Sequence, residues 1–242
     1  MSNPSVSIIM SVTNRPKHLL NSLKAWSRID YPNFEFIIVD NATKNFEIEF
    51  VVKGFDKKFP ITFYKEETLQ NVNRIWNKYG KASKGEYVIF SMMDEIISHK
   101  DIIQKMMDCS ARASIFTYFL TDVGTMALDN LGWESDSSLI PKPYTEQTSA
   151  GLLSHITGNY RNKWNWFGWF RDDPDGHLWL EQDIHLRERC LDSKYWCQTS
   201  KDVYCLHQYH TSALPRNFMR PGYIYKTEAQ ARLLEPAERE LE

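Results

Sequence analysis

The sequence predicts an α/β domain with a mostly parallel, mixed central sheet flanked by helices. Three observations carry that expectation. Short apolar runs read as buried strands. Stretches of helical period separate them, as right-handed crossovers between parallel strands require. Polar residues recur just past the strand ends, where ligands bind in open α/β sheets. The 242 residues suit one large domain, and a domain of that size buries enough surface to need no staple.

Residues 6–12 form the first apolar run, with Ser7 and Ser11 the polar interruptions. Asn14-Arg15-Pro16 then starts a helix, because proline is tolerated in the first turn. Leu19, Leu20, Leu23 and Trp26 are expected on one face of it. Residues 34–39 read as a second buried strand ending at Asp40, and 61–64 as a short third. Val72, Ile75, Trp76 and Tyr79 mark another amphipathic helix, which runs through Lys84-Gly85 into a strand at 87–91. Ser98 and Asp101 resemble a capping box ahead of a helix carrying Ile102, Ile103, Met106 and Met107. A fifth strand is expected at 114–120.

From about residue 122 to 171 the pattern weakens, and five aromatics crowd into positions 164–170. A polar helix around 181–191 and a strand at 202–206 follow. No repeat or Gly/Ser linker divides the chain. The expected organisation is one domain over 1–225, with halves at about 1–121 and 122–225, and a polar tail at 226–242.

Composition excludes several functions. Lys plus Arg number 29 and Asp plus Glu 31, so no excess of positive charge drives nonspecific binding to nucleic acid or anionic lipid. The apolar runs are too short to span a bilayer, and the opening residues lack a signal-peptide pattern. The four cysteines are expected to remain thiols in a soluble, cytoplasmic protein, or one peripheral to a membrane. No G-x-G-x-x-G or Walker lysine loop is present, which argues against dinucleotide cofactors and P-loop chemistry. Cys197, Cys205, His207 and His210 lack the paired spacing of a zinc knuckle.

The polar residues after the strands are Thr13-Asn14-Arg15, Asp40-Asn41 and Asp94-Glu95. With them, VSIIMSVTNRP at 6–16, Tyr31-Pro32 and FIIVDN at 36–41 resemble the opening of family 2 glycosyltransferases. Asn77, KGEYVIF at 84–90 and Asp94 are similar to the next block of that family. QDIHLRER at 182–189 resembles its later acidic motif, and His207 falls 24 residues beyond Asp183.

The resemblance implies a GT-A-like, Rossmann-like fold and an inverting, metal-dependent transfer from a nucleotide-diphospho-sugar, UDP-linked, to a hydroxyl of a glycan or other acceptor. It places Thr13, Arg15, Asp40, Asn77, Met93 and Asp94 at the donor, with Asp40 reading the base. It assigns Asp94 and His207 to Mn²⁺ or Mg²⁺, and Asp183 to the catalytic base. A carboxylate beside the acceptor hydroxyl can take its proton during attack, and a carboxylate–imidazole pair suits Mn²⁺.

Trp166, Gly168 and Trp169 are expected to bind the acceptor, because rigid aromatic faces stack on sugar rings. Each residue also has a plainer role: Asp40 as a strand-end cap, Asp183 in a surface ion pair with Arg187, the tryptophans as packing. Met92-Met93-Asp94 departs from the family's acidic cluster, and Ser11-Val12-Thr13 from its aromatic opening. The first departure favours a rival reading, a nucleotide- or glycan-binding module without turnover. A second rival glycosylates a modified nucleic-acid base, with Arg161–Lys163 as a local basic patch. A nucleotidyltransferase would need a glycine-rich, arginine-bearing loop that the first strand lacks.

Overall fold

A computed structural model describes residues 3–97, 99–110, 116–117, 119–123, 156–170 and 204–208. Strands β1 (Val6–Val12), β2 (Phe34–Asn41), β3 (Ile61–Glu66) and β4 (Tyr87–Met92) lie parallel in the order β3-β2-β1-β4. Helices α1 (Pro16–Trp26), α2 (Glu47–Lys53) and α3 (Val72–Ala82) connect them in turn. The chain steps outward from β1 to β3 and returns on the other side of β1. The strand order therefore reverses between β1 and β4, the place where open α/β sheets build their sites.

β8 (Ile156–Tyr160) pairs antiparallel with β4, and β6 (Phe116–Thr117) pairs antiparallel with β8, completing a six-stranded mixed sheet. A second sheet joins β5 (Glu95–Ile97), β9 (Tyr204–Gln208) and β7 (Phe119–Val123) in that spatial order. α4 (Ile102–Ser110) follows β5, and α5 (Arg161–Phe167) follows β8.

Side-chain alternation sorts the strands onto two cores. Ile8, Met10, Phe36, Ile38 and Ile89 face the aliphatic core that α1, α2 and α4 cover with Leu19, Ile48 and Ile103. Ile9, Val39, Val88 and Phe90 face an aromatic core that α3 and α5 cover with Trp76, Tyr79 and Trp164. Trp164 is fully buried and donates its indole N–H to the carbonyl of Val88 at 3.1 Å. Both faces of the sheet are thus covered, as the apolar strands require.

The expected α/β architecture is present, with differences of detail. The apolar run at 114–120 is not one strand: Phe116–Thr117 joins the main sheet through β8, and Phe119–Val123 pairs with β9 in the small sheet. α2 escaped the sequence reading because its buried pair, Ile48 and Val52, alternates with Phe46 and Phe50, which are 75% and 80% exposed. β8 escaped because Thr157 and Asn159 read as loop residues, yet both are wholly buried. The helix starting at Ile102 is as expected; Ser98 and the helix expected at 181–191 lie outside the described residues. Cys205 is a free, buried thiol, pushed well above its ordinary pKa by burial first and by the nearby Asp94 carboxylate second. Among the described residues no helix is long and apolar enough to cross a membrane.

Candidate active site

The carboxyl ends of β1, β2 and β4 carry the distinctive polar residues, and one turn, Thr13-Asn14-Arg15, connects them. Pro16 opens α1, so Arg15 stands at its N-cap, but its side chain makes no capping bond. It reaches Asp94 instead, with Nη1 3.2 Å from Oδ2; the two residues are 9% and 4% exposed. Burial pulls the guanidinium's pKa down, and the Asp94 charge opposes that pull.

On the other side of β1, the hydroxyl of Thr13 donates to the carbonyl of Asn41 at 3.4 Å. The backbone N–H of Asn14 donates to Oγ1 of Thr43 at 3.0 Å, and the Thr43 N–H donates to Oδ1 of Asp40 at 3.0 Å. Asn14 and Ala42 adopt left-handed backbone angles, with φ of 51° and 64°. An alanine there costs about 1–2 kcal/mol, so the rim of the sheet is held in a conformation its sequence alone does not favour.

Asp40 is 1% exposed, and burial raises its pKa, partly offset by the Thr43 bonds and by Lys65. Lys65 Nζ lies 3.9 Å from Asp40 Oδ2 and 5.3 Å from the centre of the Phe46 ring. Strand register pairs Asp40 with Val12 on one side and with Lys65 on the other. β1 separates β2 from β4, so Asp40 and the end of β4 stand about two strand spacings, roughly 10 Å, apart.

Four expected residues therefore meet at one rim: Thr13, Arg15, Asp40 and Asp94. His207 lies in β9, directly opposite Glu95 in the antiparallel register, so the small sheet brings that position beside Asp94. Glu95 is wholly buried. Asp94 and Glu95 are both buried carboxylates, and carboxylate oxygens are the donors that hard divalent cations take. Among the described residues no group of three or more His, Cys, Asp and Glu gathers to hold a metal alone. A cation here would need donor phosphates as further ligands.

Other expected residues are spent on structure. Met93 is fully buried in the aliphatic core, so its side chain packs and does not line the rim. Asn77 donates Nδ2 to the carbonyl of Phe170 at 2.8 Å and accepts the Phe170 N–H at 3.0 Å. Trp169 is 4% exposed, stacks on Trp164 at 6.0 Å and donates its indole N–H to Asn165, whereas Trp166 is 56% exposed. Gly168 caps α5 with φ of 73°. Arg161 binds the carbonyls of Gly85 and Gly80 and the hydroxyl of Ser83, so it is committed within the fold and does not form the basic patch of the nucleic-acid rival. Asp183 lies outside the described residues.

Lys65 and Thr43 were missed. For Lys65 the signal was available, as a charge at the end of a short apolar strand in register with Asp40. For Thr43 there was none, because its role depends on a turn that only the fold defines.

Residues 7–126 match the family described as Glycosyl transferase family 2. A search of curated proteins finds no match to the sequence. Among solved structures, a mannosyltransferase of Pyrobaculum calidifontis, PcManGT, in complex with GDP-Man and Mn²⁺, superposes with a TM-score of 0.62 at 15% identity, over 85% of this chain and 57% of that one. TarS 1-349 of S. aureus in complex with UDP-GlcNAc gives 0.62 at 15% identity, over 86% and 59%. The UDP complex of the same TarS fragment gives 0.61 at 16%, over 85% and 60%. At these identities the likeness is one of fold, and the chain spans about three fifths of each neighbour.

Proposed function

We propose that this chain, whose residues 7–126 match the family 2 glycosyltransferases, moves a sugar from a nucleotide-diphospho-sugar to an acceptor hydroxyl with inversion. The observation that carries this reading is that Asp40 and Asp94 both lean on the turn Thr13-Asn14-Arg15, at the point where strand order reverses.

Asp40 accepts the N3–H of uracil, and the donor is UDP-linked. Arg15 stands one residue from the Asp40 network and against Asp94, a position suited to the diphosphate charge. Asp94 would hold Mn²⁺ or Mg²⁺ with His207 as a further ligand, and the bound cation offsets charge on the departing diphosphate. Asp183 takes the acceptor proton as the hydroxyl oxygen bonds to the anomeric carbon. The bond from that carbon to the phosphate oxygen breaks in the same displacement, and the nucleoside diphosphate leaves with the electron pair. General-base help of this kind contributes roughly 10²–10⁴-fold. The acceptor stacks on exposed Trp166.

Thermal unfolding with UDP, GDP and their sugar conjugates, each with and without Mn²⁺, tests the donor class, because a ligand of the native state raises its apparent stability. A shift specific to UDP conjugates is expected, and no shift with any nucleotide removes the proposal. Asp183→Asn should abolish transfer while donor binding stays; retained turnover removes Asp183 as the base. One observation favours a binding module without turnover: Met93 puts a packed side chain where the motif carries a carboxylate. Tight donor binding with no turnover on any acceptor would select that second reading.

A further inference from the structure

We infer that Lys65 and Phe46 form the outer wall of the nucleoside pocket, the Lys65 ammonium donating to a base carbonyl and the Phe46 ring lying against the base face. Resting on the transferase reading, the assignment concerns which base that donor carries and what selects it. Lys65 stands near the end of β3, in register with Asp40. Its Nζ lies 3.9 Å from Asp40 Oδ2 and 5.3 Å from the centre of the Phe46 ring, so one cation meets both the carboxylate and the aromatic face. At 3.9 Å the pair is in ionic contact but outside hydrogen-bond range, and neither group uses up a hydrogen bond on the other. The Lys65 side chain is 32% exposed whereas that of Asp40 is buried, so a ligand at this rim meets the ammonium first. Its flexible stem lets it turn from Oδ2 onto a carbonyl of the entering base, which opens Oδ2 to the N–H beside that carbonyl.

The loop from β2 to α2 holds Phe46 in that place. Thr43 fixes its start through the N–H given to Asp40 Oδ1. Asn45 and Glu47 exchange two bonds across Phe46, at 3.0 and 3.3 Å, and the Phe46 carbonyl accepts the Phe50 N–H at 3.0 Å. Phe50 is as exposed as Phe46, so exposure alone marks no site. Among the described residues, what sets Phe46 apart is the cation over its ring, which Asp40 also faces. A flat base laid on that ring takes apolar surface out of water.

The two oxygens of Asp40 are unequal, and that inequality selects the base. Oδ1 is committed to Thr43, and Oδ2 is the oxygen that Lys65 faces. One acceptor with a cation beside it suits a single N–H flanked by a carbonyl. Uracil has that edge, with N3–H between two carbonyl oxygens. Guanine offers two neighbouring N–H groups, which call for both carboxylate oxygens. Cytosine carries a lone pair at N3, where uracil has a proton, and sets it against a carboxylate. Thr43 and Lys65 therefore discriminate by what they deny as well as by what they bind.

Titration calorimetry on the full chain, with UDP, 2-thio-UDP, 4-thio-UDP and GDP in the presence of Mn²⁺, tests the wall. Lys65→Met keeps the stem, removes the cation and should weaken UDP about tenfold. The thio analogue that lacks the oxygen Lys65 reads should bind wild type more weakly than UDP and lose less than about twofold further in Lys65→Met, since the interaction is already gone. Phe46→Ser should weaken all three uridine nucleotides about equally, on the order of tenfold, whereas Phe46→Tyr retains binding and Phe50→Ser changes it less than about twofold. The same loss on UDP and both thio analogues in Lys65→Met overturns the carbonyl contact. Equal losses in Phe46→Ser and Phe50→Ser overturn the stacking. Wild-type protein that prefers GDP, or UDP affinity unchanged in both Lys65→Met and Phe46→Ser, overturns the inference and leaves the transferase reading standing. Wild-type protein that binds no nucleotide removes both.

Discussion

The two ends of the main sheet treat their polar groups differently. At the end where β1 and β4 begin, side chains are spent on backbone. Arg161 gives Nε to the carbonyl of Gly85 at 2.8 Å, Nη1 to Gly80 at 3.1 Å and Nη2 to the Ser83 hydroxyl at 2.8 Å, closing the last turn of α3. Ser7 donates to Glu35 at 2.6 Å and accepts the Gly85 N–H at 2.7 Å. At the opposite end, charges face charges across loops, Arg15 on Asp94 and Lys65 on Asp40, and two residues other than glycine hold left-handed angles. One end is closed by its own bonds. The other keeps charge where a ligand can use it, which is how structural and functional polar groups can be told apart within one sheet.

That contrast can be broken from either side. The largest effect is expected at the closed end, where Arg161→Ala should cost about 3 kcal/mol, since charge-assisted bonds are each worth roughly 1.5–3 and do not add fully. Denaturant unfolding would read the loss, and UDP affinity of the folded protein should not change. If affinity falls as well, the two ends are not independent.

At the open end Asp40→Asn should do the reverse. Losing a charged hydrogen bond of about 1.5–3 kcal/mol weakens donor nucleotide binding roughly ten- to a hundredfold. Stability should hold or rise, because the buried carboxylate is a burden to the fold. Titration calorimetry beside thermal unfolding would show whether the effects separate.

A smaller effect follows from the raised pKa of Asp40, whose first cause is burial. In the role proposed for Asp40, the base N–H needs the ionised carboxylate, so donor affinity should climb as pH rises through that raised value, at most about tenfold per pH unit. Stability runs the other way. A carboxyl whose folded pKa is raised contributes most below its unfolded value, and that contribution is lost as pH rises through the folded one. The Asp40→Asn variant should lose this pH dependence of binding; a wild-type curve that is already flat would move base recognition elsewhere.

Smallest of all is Glu66→Gln. Glu66 accepts from Lys78, which is 61% exposed, and from the Tyr79 hydroxyl at 2.8 Å, for which glutamine keeps an acceptor oxygen, so the loss should stay under about 1 kcal/mol in unfolding free energy. A larger loss would mean that this edge shares the rigidity of the closed end.

How far the sequence reaches depends on how local each feature is. Strands β1 to β4 were legible because both faces are buried and their apolar runs are unbroken. Arg15, Asp40 and Asp94 were legible because a strand end fixes where they emerge. Met93 and Trp169 were misplaced for one reason: a side chain beside a site can turn inward, and only the packing of α1, α4 and α5 decides that it does. The exposure of Trp166 beside buried Trp164 follows from the helical turn of α5, which the aromatic crowding at 164–170 concealed.

Only Met93 and Asp94 separate β4 from β5, so Asp94 sits where one sheet hands over to the other. The small sheet is completed by β9, the last described strand, which pairs with β5 across a long stretch of sequence. A nascent chain can thus finish β1 to β4, and with them the seat of Asp40, well before the flank of Asp94 exists. Synthesis order makes the Asp40 side of the rim early and the Asp94 side late, so a half-made polypeptide carries one buried carboxylate before the strand that flanks the other exists.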